Sequence, residues 1–154
     1  MKKLLLIFIL LGVLNADDEN PKLVIDLTTS STEKFEQKIL QGIAAHKTHY
    51  ENSLRELEVA VVIHGGSYRF FVKDLDSSMF KDDKVLQKAY PDLKKRIATL
   101  ADTYEVEFLM CNAAMKRNKL EPKDIVKFVT LVPNSTIGLI DKQNEGFAYI
   151  PVSD

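Results

Sequence analysis

Leu57-Glu-Val-Ala-Val-Val-Ile63, running directly into His64-Gly65-Gly66, is the stretch that decides the fold. Every residue of the run except Glu58 is apolar, and branched Val and Ile dominate it. A run this short, closed by glycines, reads as a strand buried on both faces, as in a parallel sheet. Upstream, Lys22–Leu27 has the length of a second strand, and Thr28–Thr32 breaks it. Ser30 followed by Glu33 has capping-box spacing and predicts a helix start. The helix face is Phe35, Ile39, Ile43, His46, Tyr50 and Leu54, recurring every three or four residues. Downstream, Ser67–Phe80 is irregular and holds Tyr68, Phe70, Phe71 and Val72. Leu93, Ile97, Leu100, Ala101 and Tyr104 form another helical stripe, with Pro91 in its first turn or just before it. Glu105–Met110 is a strand, followed by Cys111 and a short helix over Asn112–Asn118. Pro122 and Asp124 open a turn, and Phe128–Val132 is the fourth strand. Pro133-Asn134-Ser135 starts a helix, Gly146 stops it, and Phe147–Ile150 is a fifth strand. Alternating strands and helices predict a mainly parallel five-stranded sheet with helices on both faces. The expected fold is a flavodoxin-like three-layer α/β/α sandwich.

Composition bounds the function. The 154 residues are 45% hydrophobic and 28% charged, which fits one folded domain and neither a disordered tail nor a polytopic membrane protein. The 21 Lys and Arg against 22 Asp and Glu lack the basic excess of a dedicated nucleic-acid binder. A single Cys excludes an internal disulfide and any multi-cysteine zinc or iron–sulfur site. At the N-terminus, Met1-Lys2-Lys3, an apolar run Leu4–Leu14, Asn15-Ala16 and the polar Asp17–Pro21 follow the order of a secretory signal peptide. The run is too short for a membrane span, which needs ~20 residues. The expectation is therefore a signal peptide over 1–16, cleaved after Ala16, and a periplasmic domain over 17–154. No Cys near the junction offers a lipid attachment site.

Ligand sites of parallel sheets gather at the carboxyl ends of the strands. This sequence places Thr28–Thr32, His64-Gly65-Gly66, Cys111-Asn112 and Pro133-Asn134-Ser135 there. Cys111 precedes a helix start, where unpaired N–H groups favour thiolate over thiol. Lys116 and Arg117 add positive potential, and an inert packed Cys is the plain alternative. His64 suits a proton shuttle or charge partner for Cys111, or a His hydrogen-bonded at a strand end. The Thr/Ser cluster reads as an anion cradle or a simple capping loop. His46 and His49 share a metal-compatible spacing, but two ligands make no site, and packed or interface histidines fit better. Tyr68, Phe70 and Phe71 fit core or subunit contact better than base stacking. No motif for a nucleotide cofactor or a zinc hydrolase is present, so no cofactor and no metal are expected.

Val61-Val-Ile-His-Gly65, Leu100–Met110 leading into Cys111-Asn112, Val132-Pro133 with Gly138, and the ending Lys142-Gln-Asn-Glu-Gly-Phe-Ala-Tyr-Ile150 together resemble the DsrE/DsrF-like family. The resemblance runs from about Leu23 to Ile150. It implies a flavodoxin-like subunit that assembles into trimers or hexamers. Its best-understood members, in the DsrEFH and TusBCD sulfur relays, carry sulfane sulfur as a persulfide on a Cys. Cys111 matches that Cys by motif, Asn112 the residue that often follows it, and His64 the His-Gly of the second strand. Two departures stand out. Ala113-Ala114 lies where relatives often carry a Thr three residues after the Cys. The well-known relays are also cytoplasmic, whereas this chain reads as exported. The expected function is a periplasmic sulfur carrier loaded on Cys111, with Asn112 and backbone N–H groups steadying the anion, His64 managing protons, and a polysulfide or a sulfur donor or acceptor protein as partner. The alternatives are an oligomeric small-ligand-binding or assembly module with an inert Cys, and a metal-handling protein using Cys111 with His64.

Overall fold

The structure is a computed structural model and describes residues 20–154. The expected signal peptide lies outside the described residues. Strand β1 (Lys22–Leu27) leads into α1 (Thr32–Phe35), a π-helical segment (Glu36–Gln41) and α2 (Gly42–Glu51), one continuous helical rod. Strand β2 (Glu58–Ile63), a 3-10 turn (Ser67–Phe70) and α3 (Lys84–Asp102) follow. Then come β3 (Glu107–Cys111), two 3-10 segments (Asn112–Asn118 and Pro122–Asp124), β4 (Val129–Val132), α4 (Ser135–Asn144) and β5 (Ala148–Val152). The five strands form one sheet in the order β4-β3-β2-β1-β5, and every pairing is parallel. The flavodoxin-like arrangement expected from the alternation is present.

The two faces differ in depth. Leu23, Ile25, Leu27, Val59, Val61, Ile63, Phe108 and Met110 point into the larger core under the rod and α3. The intervening Val24, Ala60, Val62 and Leu109 meet Phe147 and Leu139, which belong to α4 and the residues just after it. The connections from β1 to β2 and from β2 to β3 run one way along the sheet. The connection from β4 to β5 runs back, so right-handed crossovers put α4 alone on the second face. Tyr68, Phe70 and Phe71 are fully buried in the larger core. Phe35 stacks on Phe70 with centroids 4.1 Å apart, and Phe71 tilts against Phe108 at 5.3 Å.

Three local expectations are corrected. The helix cap is Ser31, whose hydroxyl accepts from the Lys34 amide at 3.2 Å, while Ser30 bonds elsewhere. The first rod buries Phe35, Ile39, Leu40, Ile43 and Lys47, whereas His46 is exposed and Leu54 lies beyond the helix at φ 55°. The π segment explains the drift: its wider turn adds a residue and rotates the later face by one position. Pro91 lies well inside α3, which starts earlier, capped by the Asp83 carboxylate on the Leu86 amide at 3.0 Å. Pro91 itself is exposed, and the stripe Leu86, Tyr90, Leu93, Ile97 and Leu100 is buried around it. That packing outweighs the ~3 kcal/mol an interior proline costs a helix.

Candidate functional site

The parallel pairing brings the four chemistry-bearing loops to one rim, as the sequence implied. Cys111 ends β3, and its register partner is Val132, the last residue of β4. After Cys111 the chain turns onto the deep face, where Ala114, Met115 and Leu120 join the larger core. After Val132 it turns onto the other face as α4. Adjacent strands whose connections leave on opposite faces open a crevice at their carboxyl ends. Cys111 therefore stands at the topological switch point.

Polar hydrogens converge on its sulfur. The amides of Ala113 and Ala114 come from the 3-10 segment, and the amide of Ser135 opens α4. The helix start at Ser135 is set locally, by the Asn134 side chain accepting from the Ile137 amide at 2.9 Å. The Ala113 amide also bonds the Pro133 carbonyl at 3.2 Å, tying the two loops together. The Tyr68 hydroxyl donates to the Cys111 carbonyl at 2.5 Å, which fixes the strand end beside the sulfur. Burial pushes the Cys111 thiol up. The amides of Ala114 and Ser135, the Tyr68 hydroxyl and the Ala113 amide together outweigh burial, and the net shift is down. Burial and the neighbouring sulfur in turn hold the Tyr68 phenol far above its usual range, so it remains a donor. Arg117 opposes that rise with its positive field. Cys111 keeps only 5% of its surface exposed.

Asn112 is exposed at the first position of the 3-10 segment, and the amides on the sulfur belong to the two alanines after it and to Ser135. His64 directly follows β2, and its Nε2 lies 2.5 Å from Asp26 Oδ1 on β1, the strand on the side away from β3. Tyr149 of β5 donates its hydroxyl to Asp26 Oδ2 at 2.7 Å, and this bond pushes its phenol up. The glycines after His64 let two loops touch. Gly65 has φ +61°, and a Cβ on Gly66 would meet Ser30 Cβ at 2.8 Å. The Thr/Ser cluster holds the Asp154 carboxylate, through the Ser30 hydroxyl at 2.8 Å, the Ser30 amide at 3.1 Å and the Thr29 hydroxyl. The Thr29 and Ser30 hydroxyls and the Ser30 amide hold that carboxyl well below the usual carboxylate range. His46 and His49 are both exposed, the latter edge-on to Tyr50 at 5.3 Å. Among the described residues, no group of three or more His, Cys, Asp and Glu side chains is placed to hold a metal ion.

A model of the DsrE/DsrF-like family matches residues 22–152. The chain belongs to the DsrE/DsrF-like family. Such membership suggests a role related to sulfur relay. A relative from Aquifex aeolicus (strain VF5), described as an uncharacterized protein, is 35% identical over 94 residues. That match takes in 56% of this chain and 41% of the relative's length. The solved structure of a protein of unknown function, MTH1491 from Methanobacterium thermoautotrophicum, superposes with a TM-score of 0.62 at 16% identity. It covers 86% of this chain and 99% of its own, a likeness of fold.

Sequence reasoning missed three contributors to the rim. Asp26 was hidden in an apolar run, although a charge inside a buried strand is itself a signal. Tyr68 read as one aromatic among several. The Ser135 amide has no signature of its own, because its aim depends on where α4 begins relative to β3.

Proposed function

We propose that this DsrE/DsrF-like protein is a periplasmic sulfur carrier that takes up sulfane sulfur as a persulfide on Cys111 and hands it to an acceptor thiol. The observation that carries the reading is the placement of Cys111 at the switch point, at the carboxyl end of β3 abreast of Val132, with the amides of Ala113, Ala114 and Ser135 about its sulfur. A thiolate held this way attacks the outer sulfur of a donor R–S–SH. The new bond joins Cys111 to the sulfane sulfur, the donor S–S bond breaks, and R–S⁻ leaves and takes up a proton. No electrons are gained or lost overall, so no separate oxidant is required. The same amides then steady the anionic outer sulfur. Release reverses the step with an acceptor thiolate as the attacker.

The reading includes export, supported by the signal-like order of residues 1–16, and assembly into trimers or hexamers, which the family resemblance implies. Intact mass of periplasmic protein isolated without reductant tests cleavage and loading together. The expected result is a chain starting at Asp17 that gains one sulfur mass after polysulfide. A wild type that gains none overturns the carrier reading. Light scattering checks the oligomer.

The small exposure of Cys111 favours a second reading, an oligomeric ligand-binding or assembly module with an inert thiol. Folded-state alkylation separates the two. Slow labelling with an ordinary thiol pH profile selects the second reading.

A further inference from the structure

The carrier reading leaves one step without an agent, namely the proton for the departing thiolate. Four side-chain positions answer it together. On β1 and β2, Val24 and Val62 face α4, so Asp26 and His64, each two residues on, face the same way. Leu109 faces α4 on β3, and the alternation of the strand carries Cys111 the same way at the strand end, where it also touches the larger core. The register Ile63↔Met110, carried one residue further, sets His64 abreast of Cys111 on neighbouring strands. Tyr149, Asp26, His64 and Cys111 thus climb across β5, β1, β2 and β3 on one face. The first two links are hydrogen bonds of 2.7 and 2.5 Å. Asp26 sits on a face otherwise built from Val24, Ala60 and Val62, where an unpartnered carboxylate is costly.

An ionised carboxylate only accepts hydrogen bonds, so His64 presents Nε2–H to Asp26. With Tyr149 on the other carboxylate oxygen, the ring is held in one tautomer. Nδ1 makes no hydrogen bond among the described residues.

We propose that Asp26 and Tyr149 are positioning residues that hold His64 with Nδ1 available, and that His64 Nδ1 delivers the proton to the thiolate leaving group when Cys111 attacks a sulfur donor. The proposal rests on the carrier reading and names its proton donor. In the step, Nδ1–H of the imidazolium gives its proton to R–S⁻ as the donor S–S bond breaks, and His64 is left neutral with Nε2–H still on Asp26. Asp26 from β1 is the titratable group on the ring, Tyr149 from β5 bonds that carboxylate, and Cys111 stands on the neighbouring strand β3.

The test compares leaving groups on the full folded protein. Methyl methanethiosulfonate expels a sulfinate that needs no proton, whereas 2-hydroxyethyl disulfide expels an alkyl thiolate that does. His64→Gln and Asp26→Asn are expected to slow attack on the disulfide by about 100-fold, the lower range for a positioned acid. Both variants should leave the thiosulfonate rate close to wild type, and Asp26→Glu should restore part of the loss. Equal slowing with both reagents, or slowing with neither, overturns the proposal. Ring ¹⁵N shifts of wild-type His64 give a readout that needs no variant. Neutral His64 should carry its proton on Nε2, and a proton on Nδ1 overturns the assignment. A wild type that takes no sulfur from polysulfide defeats the carrier reading instead, and the leaving-group comparison still reports on His64.

Discussion

The two faces of the sheet divide the work of the molecule. The deep face packs the helical rod and α3 over interlocked rings of Phe35, Phe70, Phe71 and Phe108. The shallow face is covered by α4 alone, with Val24, Ala60, Val62, Leu109 and Phe147 as its small core. Apolar burial scales with area removed from water, so the deep face carries most of the stability. The shallow face can therefore carry Asp26, His64 and Tyr149 beside Cys111 without opening the main core. Crossover direction creates the asymmetry: three connections cover one side and a single returning helix covers the other.

The largest effect should fall on the shallow face. Cys111→Ser should abolish the gain of sulfur mass after polysulfide while leaving the circular dichroism spectrum unchanged, and residual loading would place the chemistry elsewhere. Next comes a pair of truncations. Phe71→Ala should cost about 3–5 kcal/mol by urea unfolding, because it empties a fully packed site. Leu139→Ala, half-buried on α4 against the sheet, should cost roughly 1–2 kcal/mol. Equal costs would break the contrast between the faces. Gly66→Ala puts a methyl 2.8 Å from Ser30 Cβ. Two backbone loops must then separate, at about 1–3 kcal/mol in the same assay.

The smallest effects concern ionisation. Tyr68→Phe removes the hydroxyl that bonds the Cys111 carbonyl and helps to hold the thiol down, so the pH profile of iodoacetamide labelling should move to higher pH. A profile that stays in place would leave the amides as the whole cause. The folded thiol titrates below an unfolded one. Its thiolate therefore adds stability above the ordinary thiol range, and this contribution fades as pH falls through the folded value. The stability difference between wild type and Cys111→Ser should shrink across that window. A constant difference would mean that the folded thiol is not depressed.

Sequence alone was enough for the sheet and for the rim. Leu57–Ile63 is short, apolar and rich in branched residues, Glu105–Met110 alternates Val106, Phe108 and Met110, and parallel strands force all four loops to one edge. Cys111 was legible because it is single and ends a strand. Asp26, Tyr68 and Ser135 entered the site only in three dimensions. Each lies far from Cys111 along the chain, and strand order and register alone decide that they meet it or His64. The rotated stripe of the first rod and the interior Pro91 belong to the same class. Local periodicity assumes a regular helix, and only packing against the sheet selects a wider turn or tolerates a missing amide. What a residue touches across strands is a property of register, and register is set by the whole buried face rather than by any one segment.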